Sequence, residues 1–148
     1  MVKQKNYFYI ILAAAVIIDQ LTKFFASKMA ASVPVINDSL HLTFVKNTGI
    51  IFGILPGSND LLVWLYVIVI GLLIYCFDKF PKDRFSRAML ALVFAGVIGN
   101  FIDRIVFGYV IDFIDFRIWP VFNIADLCLN IGIIGILVKS LMDGGKRR

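Results

Sequence analysis

The sequence predicts a mainly α membrane protein: a four-transmembrane-helix bundle that carries a small extracytoplasmic β cradle. Three observations lead there. Of 148 residues, 60% are hydrophobic and 17% charged, whereas soluble domains run near roughly 45–50% apolar and about 25% charged. Four segments approach the roughly 20 mostly apolar residues that a helix needs to cross a bilayer core. Lys and Arg gather on one side of those segments, as short cytoplasmic loops do.

The spans fall at about residues 7–25, 60–77, 85–102 and 122–142, within one integral-membrane domain covering 1–148. Lys3 and Lys5 before an apolar run also open secretory signals. Here the run continues through Asp19 to Phe25, and its removal would leave the termini on opposite sides. Only two connections have any size, 26–59 and 103–121, and both lie on the same side. Ten of the fifteen basic residues fall on the other side, at Lys3, Lys5, Lys79, Lys82, Arg84, Arg87, Lys139, Lys146, Arg147 and Arg148. Both termini are therefore expected in the cytoplasm, with Trp64 and Trp119 at the outer headgroup level. The net charge of +5 is topology signal, and no nucleic-acid partner is expected.

The first outer loop contains two strand-like runs, Val33 to Ile36 and His41 to Lys46, the second alternating apolar and polar residues. Asn47-Thr48-Gly49 follows with turn chemistry, and Ile50 to Leu55 reads as a short interfacial segment. Asp38 and Asp60 read as loop and helix-cap residues. Cys76 and Cys128 fall at opposite ends of the bundle, too far apart for a disulfide. The single histidine, His41, argues against zinc and against a histidine-based nucleophilic catalyst. It reads as a polar strand residue, and neither metal nor cofactor is expected.

All ten acids are Asp. Asp78, Asp83 and Asp143 lie beside basic residues as solvated surface. Asp19, Asp103, Asp112, Asp115 and Asp126 sit instead among apolar residues, where a charge at the bilayer centre costs at least about 2.5–3.5 kcal/mol. Asp19 lies roughly 18 Å along an outward-running span at about 1.5 Å per residue; Asp103 closes such a span and Asp126 opens an inward-running one. They share a plane near the outer face. Asp19 and Lys23 are spaced i, i+4; Asn100, Asp103 and Arg104 are i, i+3, i+4; Asn123, Asp126 and Asn130 are i, i+3, i+7. Each set shares a helix face. Gly96, Gly99, Gly132 and Gly135 offer small surfaces for close helix approach. Asp19 with Lys23, and Asp103 with Arg104, also fit plain ion pairs that stitch helices together, and Asp115 fits a partnership with Arg117 or water.

Acids and amides without histidine suit one reaction well. Two carboxylates held close cannot both ionise cheaply, so one retains a proton and the pair works as joint acid and base in peptide hydrolysis. Spacing alone leaves open which two of the five Asp residues form that pair.

The motifs narrow it. Asp19-Gln20-Leu21-Thr22-Lys23, Asn47-Thr48-Gly49, Gly99-Asn100-Phe101-Ile102-Asp103-Arg104, Val110-Ile111-Asp112-Phe113 and Phe122-Asn123-Ile124-Ala125-Asp126 occur in that order along nearly the whole chain. They resemble the DQxTK, NxG, GNxxDR, VxDF and FNxAD patterns of the bacterial lipoprotein signal peptidases, the type II signal peptidases. The resemblance implies an aspartyl endopeptidase of the inner membrane that cuts prolipoproteins before a diacylglyceryl-modified cysteine at the outer surface. It implies Asp112 and Asp126 as the catalytic dyad. Asp19, Lys23, Asn47, Gly49, Asn100, Arg104 and Asn123 would support the dyad and the substrate, and Asp103 would assist structurally. The implied partners are the lipid-modified substrate and membrane lipid, and a monomer is expected. Two departures are mild: Ala95 and Ile51 replace small residues common in the family, and the second bears on substrate fit. A proton- or ion-coupled transporter with the acids as a relay is the alternative, but a relay needs acids at successive depths. A non-enzymatic lipid-binding or assembly subunit would give the dyad no purpose.

Overall fold

The computed structural model describes residues 2–37, 39–49 and 59–145, with side chains between Tyr7 and Gly144. The elements run α1 (Val2–Ala26), β1 (Val33–Ile36), β2 (Leu40–Asn47), α2 (Asn59–Cys76), a 3-10 turn (Phe77–Lys79), α3 (Arg84–Phe107), β3 (Val110–Asp115) and α4 (Ile124–Gly145). Among the described residues four helical stretches are long and apolar enough to cross a membrane: Tyr7–Ala26, Asn59–Lys79, Arg84–Phe107 and Ile124–Gly144. Asp38, the Ile50 to Leu55 segment with Ile51, and Lys146 to Arg148 lie outside the described residues, as do the side chains of Lys3 and Lys5.

Helix α3 is the hub, packing against α4, α1 and α2. Its glycines permit this. A Cβ on Gly96 would run into the Ala125 carbonyl and Leu129, and one on Gly99 would stand 2.6 Å from Asp19 Oδ2. A Cβ on Gly132 of α4 would likewise meet the Met89 carbonyl at 2.6 Å. Lipid tails are as apolar as the helix surfaces, so no hydrophobic drive brings the helices together and close backbone packing contributes in its place. Phe8, Leu90, Ala91 and Phe94 fill the half of the bundle away from the polar site.

Three boundaries differ from the sequence reading. Helix α3 runs to Phe107 rather than about 102, so Asp103 and Arg104 belong to its last turns. It stops where Gly108 takes the left-handed conformation, φ +78°, and returns its N–H to the Arg104 carbonyl at 3.1 Å. Helix α4 starts at Ile124, two residues late, because Phe122 bridges to Ile114 and Asn123 becomes the N-cap. The stretch 103–121 is not all loop: β3 is a strand. It joins an antiparallel sheet in the order β1-β2-β3, with Val45 opposite Asp112 and Asn47 opposite Val110. Most of β3 is buried on both faces, so it lacks the alternation that marks a half-exposed strand. Its Ile111 and Phe113 pack with Ala26 in a second apolar cluster.

Candidate active site

The site forms where α1, α3, the start of α4 and the sheet meet. The reciprocal cap of α4 lies at its centre. Asn123 Oδ1 accepts from the Asp126 N–H at 2.9 Å, and Asp126 Oδ2 accepts from the Asn123 N–H at 3.1 Å, an Asp version of the capping box. The spare Nδ2 of Asn123, fully buried, donates to Asp112 Oδ1 at 2.7 Å, to Asn100 Oδ1 at 3.0 Å and to the Ile111 carbonyl at 3.3 Å. Helical spacing suggested that Asn123 shares a face with Asp126 and Asn130. The structure sets it one residue before the helix, which lets it reach both acids.

Asp112 is 2% exposed. Its Oδ2 accepts from Asn47 Nδ2 at 2.8 Å, across the β2–β3 ladder on the same face, and Asn47 in turn is held by the Gly49 N–H at 3.1 Å. Asp126 Oδ1 accepts from Asn100 Nδ2 at 2.8 Å. Burial, and then the neighbouring Asp126 charge, push the Asp112 carboxyl up to about 7, against the downward pull of the Asn47 and Asn123 amides.

Beneath the pair lies an ionic layer. Lys23 Nζ, 1% exposed, contacts Asp19 Oδ2 at 2.8 Å, Asp103 Oδ2 at 3.0 Å and Asn100 Oδ1 at 3.0 Å. The acids of that layer also fix backbone. Asp19 Oδ1 accepts from the Ala125 N–H at 2.8 Å, anchoring the start of α4, and Asp103 Oδ2 accepts from the Ile111 N–H at 2.9 Å, anchoring β3. Two buried acids around one ammonium satisfy one another where isolated charges would be prohibitive. Arg104, 3% exposed, donates through Nη2 to the Gly49 carbonyl, while its Nε and Nη1 have no hydrogen-bond partner among the described residues.

Each dyad or support residue singled out in the sequence therefore enters one connected network. Asp115 does not. It accepts from Thr43 Oγ1 at 3.1 Å and from the Arg117 N–H at 2.8 Å at the rim of the sheet. His41 is a strand residue within 3.0 Å of Arg117 Nη2, and Cys76 and Cys128 are unbridged. Gln20 stood in the first motif but was given no role by the sequence. Gln20 Nε2 donates to Asp19, to the Gly99 carbonyl and to Asp103 Oδ1; its position three residues before Lys23 on one helix face was the available signal. Tyr66 of α2, which nothing in its local sequence marks, sets its ring 6.1 Å from that of Phe101 of α3.

Comparison with known proteins gives the family. A family model described as signal peptidase (SPase) II matches residues 11–142. The chain belongs to the signal peptidase II family. It is thus a protease and a multi-pass membrane protein. A lipoprotein signal peptidase of Halothermothrix orenii is 42% identical over 127 residues, covering 84% of this chain and 88% of that one. One from Moorella thermoacetica is 40% identical over 144 residues, covering 94% and 96%. Among solved structures, a bacterial membrane enzyme determined by the in meso method superposes with a TM-score of 0.88 at 37% identity, covering 95% of this chain and 91% of that one. The four-helix architecture with its small sheet is accordingly that of a signal peptidase II.

Proposed function

We propose that this signal peptidase II is an aspartyl endopeptidase that cuts prolipoproteins before a diacylglyceryl-modified cysteine, using Asp112 and Asp126 to activate water. One observation carries the reading: the two carboxylates come from separate elements and converge on the same residue, Asn123. Asp19 and Asp103 are committed to Lys23 and to backbone amides, and Asp115 to the sheet rim, which leaves these two for chemistry.

The chemistry follows from the shared proton. Burial and mutual repulsion keep one proton on the pair near neutral pH. The ionised member takes a proton from water, and the resulting hydroxide adds to the scissile carbonyl. The protonated member hydrogen-bonds the developing oxyanion. As the tetrahedral intermediate collapses, a proton passes to the departing amine of the cysteine, and the carboxylic acid product leaves with the signal peptide. Asn47, Asn100 and Asn123 hold the carboxylates, while Lys23, Asp19 and Asp103 hold the backbone that presents them. The Arg104 donors that have no partner among the described residues suit a substrate carbonyl. Single-domain organisation, the bacterial inner membrane, cytoplasmic termini and a dyad near the outer face complete the proposal, supported by the concentration of basic residues at the other end of the bundle.

The deciding experiment is cleavage of a purified diacylglyceryl-modified prolipoprotein by the detergent-solubilised protein beside Asp112→Asn and Asp126→Asn. The expected result is a cut before the lipidated cysteine, reduced at least ~10²–10⁴-fold in each variant as for loss of a general acid or base. Substantial turnover by either folded variant would refute the dyad.

A further inference from the structure

The end of the bundle opposite the acids holds a second cavity, about 580 Å³, bounded by the last turn of α2, the link to α3, the first turn of α3 and the end of α4. Lys79, Lys139 and Asp143 line it together with apolar Phe80 and Ile136. Ser86 lines it as well, only 3% exposed, and its Oγ completes no hydrogen bond among the described residues. Asp83 stands nearby, its carboxyl lowered from the ordinary value by its interaction with Ser86. The hydrogen bond that Asp83 Oδ1 completes, however, is with the Ser86 backbone N–H at 3.1 Å. A buried hydroxyl left without a partner is unfavourable unless something fills the site.

We propose that this cavity binds the headgroup of an anionic phospholipid. Among the lining residues two cations face one carboxylate, a surplus of one positive charge that matches a singly charged phosphodiester, while Asp83 lies outside the lining and accepts from the Ser86 N–H. Lys139 is held in place by Asp143 at 2.8 Å, and Lys79 rests over the Tyr75 ring at 4.4 Å; each ammonium keeps donors free for phosphate oxygens. A headgroup hydroxyl would pair with Ser86 Oγ or Asp143. Phe80 and Ile136 would cover the glycerol backbone, with acyl chains running along the exposed apolar Leu137 and Leu141. The cavity sits at the end of membrane-spanning helices, so the phosphate comes from the leaflet rather than from solution.

The test uses the full-length protein in detergent, with binding read by native mass spectrometry and thermal shift against phosphatidylglycerol, phosphatidylcholine and free glycerol phosphate. Phosphatidylglycerol alone should bind and raise the unfolding midpoint. The Lys79→Gln, Lys139→Gln double variant should bind about tenfold or more weakly, since each basic residue near a headgroup contributes comparably. Ile136→Trp should also weaken binding by filling the cavity without changing charge, which keeps the test open if the charge variant fails to fold. Circular dichroism checks folding independently of any peptidase activity. Equal binding of phosphatidylglycerol and phosphatidylcholine would overturn the proposal, as would unchanged binding in both folded variants, or glycerol phosphate binding as well as the lipid.

Discussion

Asn123 and Asp126 cap each other at the start of α4, with N···O distances of 2.9 and 3.1 Å. The same turn that begins the helix thereby orients one of the two paired acids, and the free amide of Asn123 orients the other at 2.7 Å. Helix initiation and site assembly are one structural event.

Replacing Asn123 with Ala should therefore damage both. The lost cap costs roughly 1–2 kcal/mol, and Asp112 loses one of its two amide donors. Prolipoprotein cleavage should fall about 10²-fold or more, in the range for a misplaced acid–base group. Unfolding midpoints and initial rates on one preparation check both; parent-like turnover would contradict the bridging role.

The raised Asp112 carboxyl gives a pH dependence with a definite sign. Between its ordinary value of 3.8 and about 7 the folded protein holds a proton that the unfolded chain has released. Stability contributed by this group is thus present at low pH, declines as pH rises through that window, and is flat above about 7. Activity should fall on the alkaline side with an apparent pKa near 7, as the pair loses its remaining proton. Asp112→Asn should remove this component from the stability profile, which thermal unfolding from pH 4 to pH 9 would measure.

Lys23 is the sole cation in contact with Asp19 and Asp103 among the described ion pairs. Lys23→Met leaves two buried carboxylates uncompensated and should cost about 3–5 kcal/mol. Adding Asp19→Asn should recover part of the loss. Denaturation in mixed micelles would show the non-additivity; an additive pair of effects would contradict the network.

The glycines offer a contrast within one fold. Gly96→Ala forces α3 off α4 at Ala125 and should destabilise by roughly 1–3 kcal/mol. Gly71→Ala on α2 meets nothing within 4 Å and should be neutral or stabilising by up to about 1 kcal/mol. Thermal midpoints of the two variants measured side by side decide it.

The spans, the two early strands, the clustering of polar residues at one end and the close-packing glycines were all legible in the sequence. Each depends on local composition or helical period. Hydrophobicity over some 20 residues is imposed by the bilayer itself, so it survives without knowledge of the fold. The motif resemblance also singled out Asp112 and Asp126, which spacing alone left among five acids.

Tertiary structure decided the rest. Strand β3 was hidden because burial on both faces erased its alternation, and α3 ran on to Gly108 because only a left-handed cap stopped it. The contacts of Gln20, and the anchoring of backbone by Asp19 and Asp103, join residues as far apart as Asp19 and Ala125. A sequence records which groups must leave lipid; which partner each one finds is set only when helices and sheet close on one another, because a buried charge is tolerable solely where its particular neighbours satisfy it.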